Sequence, residues 1–146
     1  MRLGTYDTDR TQKVLSVLQE RVDQVNEQGG EILFITQRHL VSMGMLEGVT
    51  LIPEYEREDL MEMAMAKNVQ YLGNFQSDMD TQRFALIVVD PLNFIYLGND
   101  SSFGEENNVW VRYAMRPILC NYRMDAVFPE DAIALYVPQE GERQCP

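Results

Sequence analysis

The chain has 146 residues, and its 45% hydrophobic and 24% charged content is that of an ordinary globular protein. This length suits one domain with one core, and no segment approaches the roughly 18 consecutive apolar residues of a membrane span. A net charge of −11, from 23 acidic and 12 basic side chains, would repel phosphate backbones, so we predict that nucleic acid is not a partner.

The first part of the chain is predicted to form a helix followed by a strand. Residues 1–7 contain no apolar stretch of signal-peptide type, so we expect any export signal to lie outside this chain. Apolar residues recur every three or four positions over residues 11–28, which predicts an amphipathic helix that Gly29 ends. Residues 31–36 form a nearly continuous apolar run, which is typical of a strand buried on both faces.

A second strand and a second helical region are predicted next. Residues 49–52 are β-prone, and Pro53 stops this run. Residues 57–79 return to the helical pattern, and Gly73 or Asn74 is the predicted break within it.

The clearest strand covers residues 84–89 and is followed by Asp90, so we expect it to lie centrally in the sheet. A loop over residues 97–104 leads to a helix predicted for residues 105–115, which has acids in its first turn and is expected to end at Pro117.

Two extended segments, residues 119–128 and 133–137, predict a terminal hairpin with its turn at residues 129–131. The order of elements predicts an α/β fold, a Rossmann-like three-layer sandwich with a mostly parallel sheet and a C-terminal antiparallel hairpin. We expect residues 1–138 to form a single domain and residues 139–146 to form a polar tail.

Cys120 and Cys145 are too few for a four-thiolate zinc site and too far apart for a redox pair. Two interpretations stay open. Either one thiol is buried and the other lies free in the tail, or a disulfide pins the tail, which requires an oxidising compartment.

Polar side chains follow each predicted strand, and ligands of open α/β sheets bind at the carboxyl ends of the strands. The candidates are Gln37, Arg38 and His39 after the first strand, Glu54, Tyr55 and Glu56 after the second, Asp90 after the third, and Glu105, Glu106, Asn107 and Asn108 at the start of the last helix. We expect them to share one rim.

Each candidate has a functional and a structural interpretation. His39, the only histidine, is either a base or metal ligand or a surface residue at a strand exit. Arg38 either grips a carboxylate or phosphate as a fork or forms a salt bridge. The string Glu105-Glu106-Asn107-Asn108 either caps the helix or recognises hydroxyl-rich or amine ligands.

The sequence lacks the glycine-rich turns of dinucleotide and P-loop sites, and it lacks the G-x-S-x-G nucleophile elbow. We therefore predict no catalytic residue, no metal site and no cofactor in this chain.

Four segments carry a resemblance to a known family: GEILFITQRHL (30–40), LIPEYE (51–56), RFALIVVDP (83–91) and FGEENNVWV (103–111). Over about residues 11–138 the chain resembles the C-terminal soluble domain of bacterial multi-spanning membrane proteins of the dolichyl-phosphate-mannose mannosyltransferase type. The resemblance implies a glycosyltransferase-like parent in which sugar transfer from a polyprenyl-phosphate carrier is metal-assisted or carboxylate-assisted and uses acids in loops between membrane helices.

On this resemblance the chain is a soluble accessory or binding domain, excised from its parent and not catalytic alone. Its partner is the membrane-embedded remainder of that protein, carbohydrate is a candidate ligand, and its place is the extracytoplasmic face of a bacterial membrane. Without the resemblance we expect a cytoplasmic location. Two alternatives stay open: a free-standing small-ligand or nucleotide-sugar-binding enzyme that uses the strand-end rim, and a structural protein-interaction domain.

Overall fold

Four strands form one mixed sheet at the centre of the molecule. The computed structural model describes residues 8–98 and 103–145, and its strands are β1 (Glu31–Phe34), β2 (Phe84–Val89), β3 (Tyr122–Phe128) and β4 (Ile133–Pro138). Their order across the sheet is β1-β2-β4-β3. The β1–β2 pair is parallel, whereas the β2–β4 and β4–β3 pairs are antiparallel.

Helices make up most of the remaining described chain. They are α1 (Thr8–Glu27), α2 (His39–Ser42), α3 (Arg57–Met65), α4 (Val69–Asp80), α5 (Gly104–Trp110) and α6 (Arg116–Leu119), with a π-helical turn over Val111–Met115 and 3-10 turns over Pro53–Tyr55 and Pro129–Asp131. The π-helical turn joins α5 to α6, so the chain stays helical over residues 104–119.

The sheet is covered on both faces, because successive strand side chains point to opposite sides. On one face Leu86 packs in a cluster with Leu18 of α1. On the other face Ile87 packs in a second cluster with Phe75 of α4 and Ile118 of α6. The molecule therefore has three layers, with the sheet between α1 and the remaining long helices.

Different loops and helix ends lie at the two ends of the sheet. β4 is antiparallel to both β2 and β3, so β1, β2 and β3 all run in one direction. We call the edge at which these three strands end the carboxyl edge and the opposite one the amino edge. The loops after β1 and β2, the β3–β4 turn and the first residues of α3 and α5 lie at the carboxyl edge.

The predicted α/β class, the central position of β2 and the C-terminal antiparallel hairpin are confirmed. The predicted mostly parallel sheet is wrong, since two of the three strand pairs are antiparallel. The reason is that β4 returns from a hairpin turn and fills the place beside β2, where a further parallel strand would otherwise lie.

The predicted strand at residues 49–52 is also wrong, because these residues pair with no other strand in the part of the chain that the structure describes. Leu51 packs its side chain against the α1-side cluster. A cavity of about 270 Å³, lined in part by Ile32 and Thr50, lies between this segment and β1. A β-prone run thus partly buries its apolar side chains without entering the sheet.

The helical region over residues 57–79 is broken, although not at Gly73 or Asn74, which both lie inside α4. The break falls at Lys67, which has a φ of 52°, and at Asn68. Asn68 caps α4, since its side-chain oxygen accepts a hydrogen bond of 3.0 Å from the backbone N–H of Tyr71.

The predicted helix end at Pro117 is wrong, because Pro117 lies inside α6. The backbone N–H of Arg116 donates to the carbonyl of Val111, five residues back, in the π-helical turn before it. This wider turn lets the chain pass the proline, which lacks an N–H and would distort a regular α-helix. Of the predicted 97–104 loop, residues 99–102 lie outside the described residues.

Cys120 and Cys145 form a disulfide, with their Cα atoms 4.1 Å apart, which decides between the two interpretations of the cysteines. The side chain of Gln139 adds hydrogen bonds of 3.0 and 3.2 Å to the carbonyls of Leu119 and Tyr122. The predicted polar tail is therefore tied to the amino edge as far as residue 145.

No helix within the described ranges, residues 8–98 and 103–145, has the length and apolar character needed to cross a membrane.

Tyr122 closes the amino edge from inside the core. Its hydroxyl donates to the carbonyl of Phe84 at 2.8 Å and accepts from the N–H of Phe84 at 3.1 Å. Tyr122 is 1% exposed, and burial raises the pKa of its hydroxyl to about 12. The paired backbone groups belong to the first residue of β2, which β4 does not reach.

Tyr122→Phe should lower the free energy of unfolding by about 1–3 kcal/mol, because two buried backbone groups lose their partner. Urea unfolding followed by circular dichroism measures the change. Tyr96→Phe is the matched control, since Tyr96 is exposed. Equal stability of the two variants would contradict this role of Tyr122.

Candidate functional site

The residues after β1 brace the carboxyl edge. Arg38 donates to the carbonyl of Phe34 at 2.8 Å and to the carbonyl of Ile52 at 2.5 Å, and desolvation by burial lowers its pKa. Gln37 donates to the carbonyl of Asp131 in the β3–β4 turn at 3.2 Å. Arg38 therefore binds backbone carbonyls, in contrast to both the salt bridge and the ligand fork that the sequence suggested.

His39 and Glu54 are exposed and lie on separate elements. Among residues 8–98 and 103–145, no group of three or more His, Cys, Asp or Glu side chains is placed to hold a metal ion. The placement of these two residues thus gives no support to a metal-binding or general-base role for His39.

Tyr55 is a core residue. Its hydroxyl donates to Oδ2 of Asp78 at 2.5 Å, and its ring meets that of Phe75 edge to face with centroids 5.0 Å apart. Burial, followed by the Asp78 hydrogen bond, raises the pKa of Tyr55 well above its ordinary value. The structure therefore places Tyr55 away from the ligand rim.

Asn107 and Asn108 hold the segment that follows β2. The side chain of Asn108 accepts from the N–H of Leu97 at 2.7 Å and donates to the carbonyl of Leu97 at 2.8 Å. Asn107 donates to the carbonyl of Ile95 at 2.9 Å. These amides neither cap α5 nor stand free for a ligand, because they fix the backbone of residues 95–97.

A cavity of about 360 Å³ opens between α3, α5 and the end of β2, and we call it the rim pocket. Its polar lining is Arg57, Asp90, Glu106, Asn107 and Trp110, and its apolar lining is Met61, Leu97, Phe103 and Met115. Its volume lies within the range of small-molecule sites. Of the predicted candidates the structure brings Asp90, Glu106 and Asn107 together here, whereas Glu105 does not line it.

Two buried polar atoms of the rim pocket lack a partner. Neither Nε1 of Trp110 nor Oδ1 of Asp90 forms a hydrogen bond within the described part of the chain. Trp110 is only 3% exposed, so its N–H has no compensation from bulk water. A buried polar group without a partner costs about 1–3 kcal/mol, and such groups are rare in native proteins.

Arg57 lies at the mouth of the rim pocket. Its guanidinium carbon is 5.2 Å from the centre of the Trp110 ring, and its side chain is exposed. Its backbone N–H donates to the carbonyl of Ile35 at 3.1 Å, which anchors the start of α3 to the end of β1. With Asp90 and Glu106, the lining carries two carboxylates against one guanidinium. The pocket therefore favours neutral or cationic ligands.

Trp110 and Arg57 were missed by reasoning from the sequence alone. A usable signal existed for Trp110, because it is the only tryptophan and lies four residues after Glu106, on the same face of a helix. Arg57 gave no such signal, since the first residue of an exposed helix is commonly charged.

A larger cavity of about 620 Å³ lies at the amino edge, between Arg123, Glu142 and Cys145. The polar side chain of Gln139, which also lines it, is already hydrogen-bonded. The rim pocket is the better candidate site, because two of its lining residues, Asp90 and Trp110, have buried polar atoms without a partner in the described chain.

No family model, no curated protein and no solved structure matches this chain.

Asn108→Ala should raise the amide exchange rate of Leu97 by about five- to tenfold, since the segment loses its two-point attachment. Hydrogen exchange followed by NMR or mass spectrometry measures it. Asn74→Ala, at an exposed position on α4, is the control and should leave Leu97 unaffected. Unchanged exchange in Asn108→Ala would show that the segment is held by other contacts.

Proposed function

We propose that this chain is a carbohydrate-binding accessory domain, not itself catalytic, of a glycosyltransferase-like membrane protein. The observation that carries the proposal is that two residues lining one pocket of ligand size, Trp110 and Asp90, have a buried atom (Nε1 and Oδ1) without a partner in the described chain. Their arrangement supports the recognition of a ligand that both accepts and donates hydrogen bonds.

Carbohydrate hydroxyls have this dual chemistry. A hydroxyl accepts from the indole N–H, and another donates to a carboxylate oxygen. Met61 and Met115 supply apolar surface for the carbon face of a sugar ring. The excess of carboxylates in the lining disfavours phosphate-bearing ligands, which weakens the nucleotide-sugar alternative.

The disulfide supports a location outside the cytoplasm. Cys145 is exposed, and reducing systems of the cytosol keep accessible thiols reduced in most organisms. An extracytoplasmic place also agrees with the resemblance of residues 30–40 and 83–91 to a domain of membrane glycosyltransferase-like proteins. The membrane-embedded remainder of that parent is the partner we propose, and catalysis belongs to it.

An interaction domain is the second candidate. Ile95 is 65% exposed and Phe103 is 75% exposed. Phe103 lines the rim pocket, and the carbonyl of Ile95 accepts a hydrogen bond from Asn107, which also lines it. Apolar side chains at such positions mark surfaces that bind other proteins. Loss of partner binding on substitution of these residues, with no sugar binding, would favour this candidate.

Trp110→Phe and Asp90→Asn should each weaken sugar binding, the first by about 3- to 10-fold and the second by about 10-fold or more. The first removes the N–H donor together with part of the indole ring, and the second replaces a charged acceptor. A panel of neutral sugars titrated into the unmodified chain reports through Trp110, its only tryptophan. Calorimetry serves Trp110→Phe, which lacks this reporter.

Asp23→Asn is the matched control, because Asp23 is exposed on α1 in the opposite layer. It should bind sugars as the unmodified chain does. A panel without any binding, by fluorescence or by thermal shift, would refute the carbohydrate proposal.

Cys120 and Cys145 should be oxidised in the native cell. Acid quenching, followed by alkylation with a maleimide polymer and gel analysis, distinguishes disulfide from thiols. Cys145→Ser, which should also lower the free energy of unfolding by about 3 kcal/mol, gives the reference mobility of a chain with one alkylated thiol, so a reduced unmodified chain should migrate more slowly still. Two free thiols in quenched cells would contradict the proposed location.

A further inference from the structure

A second, smaller cavity adjoins the rim pocket. It measures about 220 Å³ and is lined by Thr36, Gln37, Arg38, Glu56, Arg57 and Glu58, together with Ile35, and we call it the Thr36 pocket. Oγ1 of Thr36 is buried and forms no hydrogen bond to any residue in the described ranges. Like the rim pocket, the Thr36 pocket is therefore lined by a residue whose buried polar atom has no partner in the described chain.

The sheet brings the two pockets together. Thr36 follows β1 and Asp90 follows β2, and the parallel β1–β2 ladder continues to the bond from the N–H of Ile35 to the carbonyl of Val88 at 2.9 Å. Neighbouring strands lie about 4.8 Å apart, so the two side chains leave adjacent points of the carboxyl edge. Arg57 lines both pockets and so forms the boundary between them.

We infer that the rim pocket and the Thr36 pocket are two subsites of one cleft that binds two linked neutral sugar units. This inference rests on the proposed function. Three unpaired groups would then meet ligand hydroxyls, with Trp110 as donor, Asp90 as acceptor and Thr36 as either. Together the linings hold four carboxylates, at positions 56, 58, 90 and 106, against the guanidiniums of Arg38 and Arg57, which disfavours anionic sugars.

Arg57 is the side chain that lies between the two subsites. The unpaired atoms are buried, while the guanidinium of Arg57 is exposed above Trp110 and its backbone is anchored at Ile35. The donors of its guanidinium are therefore placed to reach ligand hydroxyls from between the two subsites.

The experiment compares each monosaccharide of a neutral panel (glucose, galactose, mannose and N-acetylglucosamine) with its disaccharides, by Trp110 fluorescence and calorimetry on the oxidised chain. The disaccharide with the highest affinity should bind at least about tenfold more tightly than the monosaccharide that it contains. Thr36→Val should lower the affinity for the disaccharide by about 3- to 10-fold and leave the affinity for the monosaccharide unchanged. Thr36→Ser keeps the hydroxyl and should bind as the unmodified chain does.

Thr11→Val, in α1 of the opposite layer, is the matched control and should change neither affinity. If Thr36→Val fails to fold, Thr36→Ala takes its place. Equal affinity for units and disaccharides, or an unchanged disaccharide affinity in the hydroxyl-free variant, overturns the two-subsite cleft and leaves the carbohydrate proposal intact. A panel with no binding at all refutes the carbohydrate proposal itself.

Discussion

Every layer of the molecule depends on the burial of β2. This strand has a paired neighbour on each side, and its side chains enter the cores on both faces, as Leu86 and Ile87 show. A polar side chain inside such a strand would lack both water and a partner. Asp90 is the first residue beyond this constraint, so the strand that forms the core also delivers a carboxylate to the carboxyl edge.

The two edges of the sheet differ in how many of their buried polar groups are hydrogen-bonded. At the amino edge, Tyr122 satisfies the backbone of Phe84, and a disulfide with the Gln139 hydrogen bonds holds the tail. At the carboxyl edge, buried atoms of Thr36, Asp90 and Trp110 stay unpaired within the described chain. A protein tolerates the free-energy cost of a few unpaired buried groups when the rest of its fold is stable. Positions that carry such a cost are commonly functional.

The sequence predicted those parts of the fold that follow from local periodicity. The stripe of α1 and the apolar run of β2 need only the pattern of burial along the chain, and both were found. Residues 49–52 have the same β-prone composition, yet a cavity separates them from β1, whose outer side has no strand partner in the described chain. Whether a segment pairs as a strand depends on where all the other strands lie, so the composition of residues 49–52 could not predict their pairing.

The candidate site shows the same limit at the level of single side chains. The rule that ligands bind beyond the carboxyl ends of strands points to Asp90 and Glu106, and both line one pocket. It could not tell that the side chain of Asn108 is hydrogen-bonded to the backbone of Leu97, nor that the N–H of Trp110 has no partner in the described chain. Residue type is a property of the sequence, whereas an unmet hydrogen bond depends on every neighbouring element. A search for ligand sites in such a chain therefore gains most from the positions where the fold fails to satisfy a buried group.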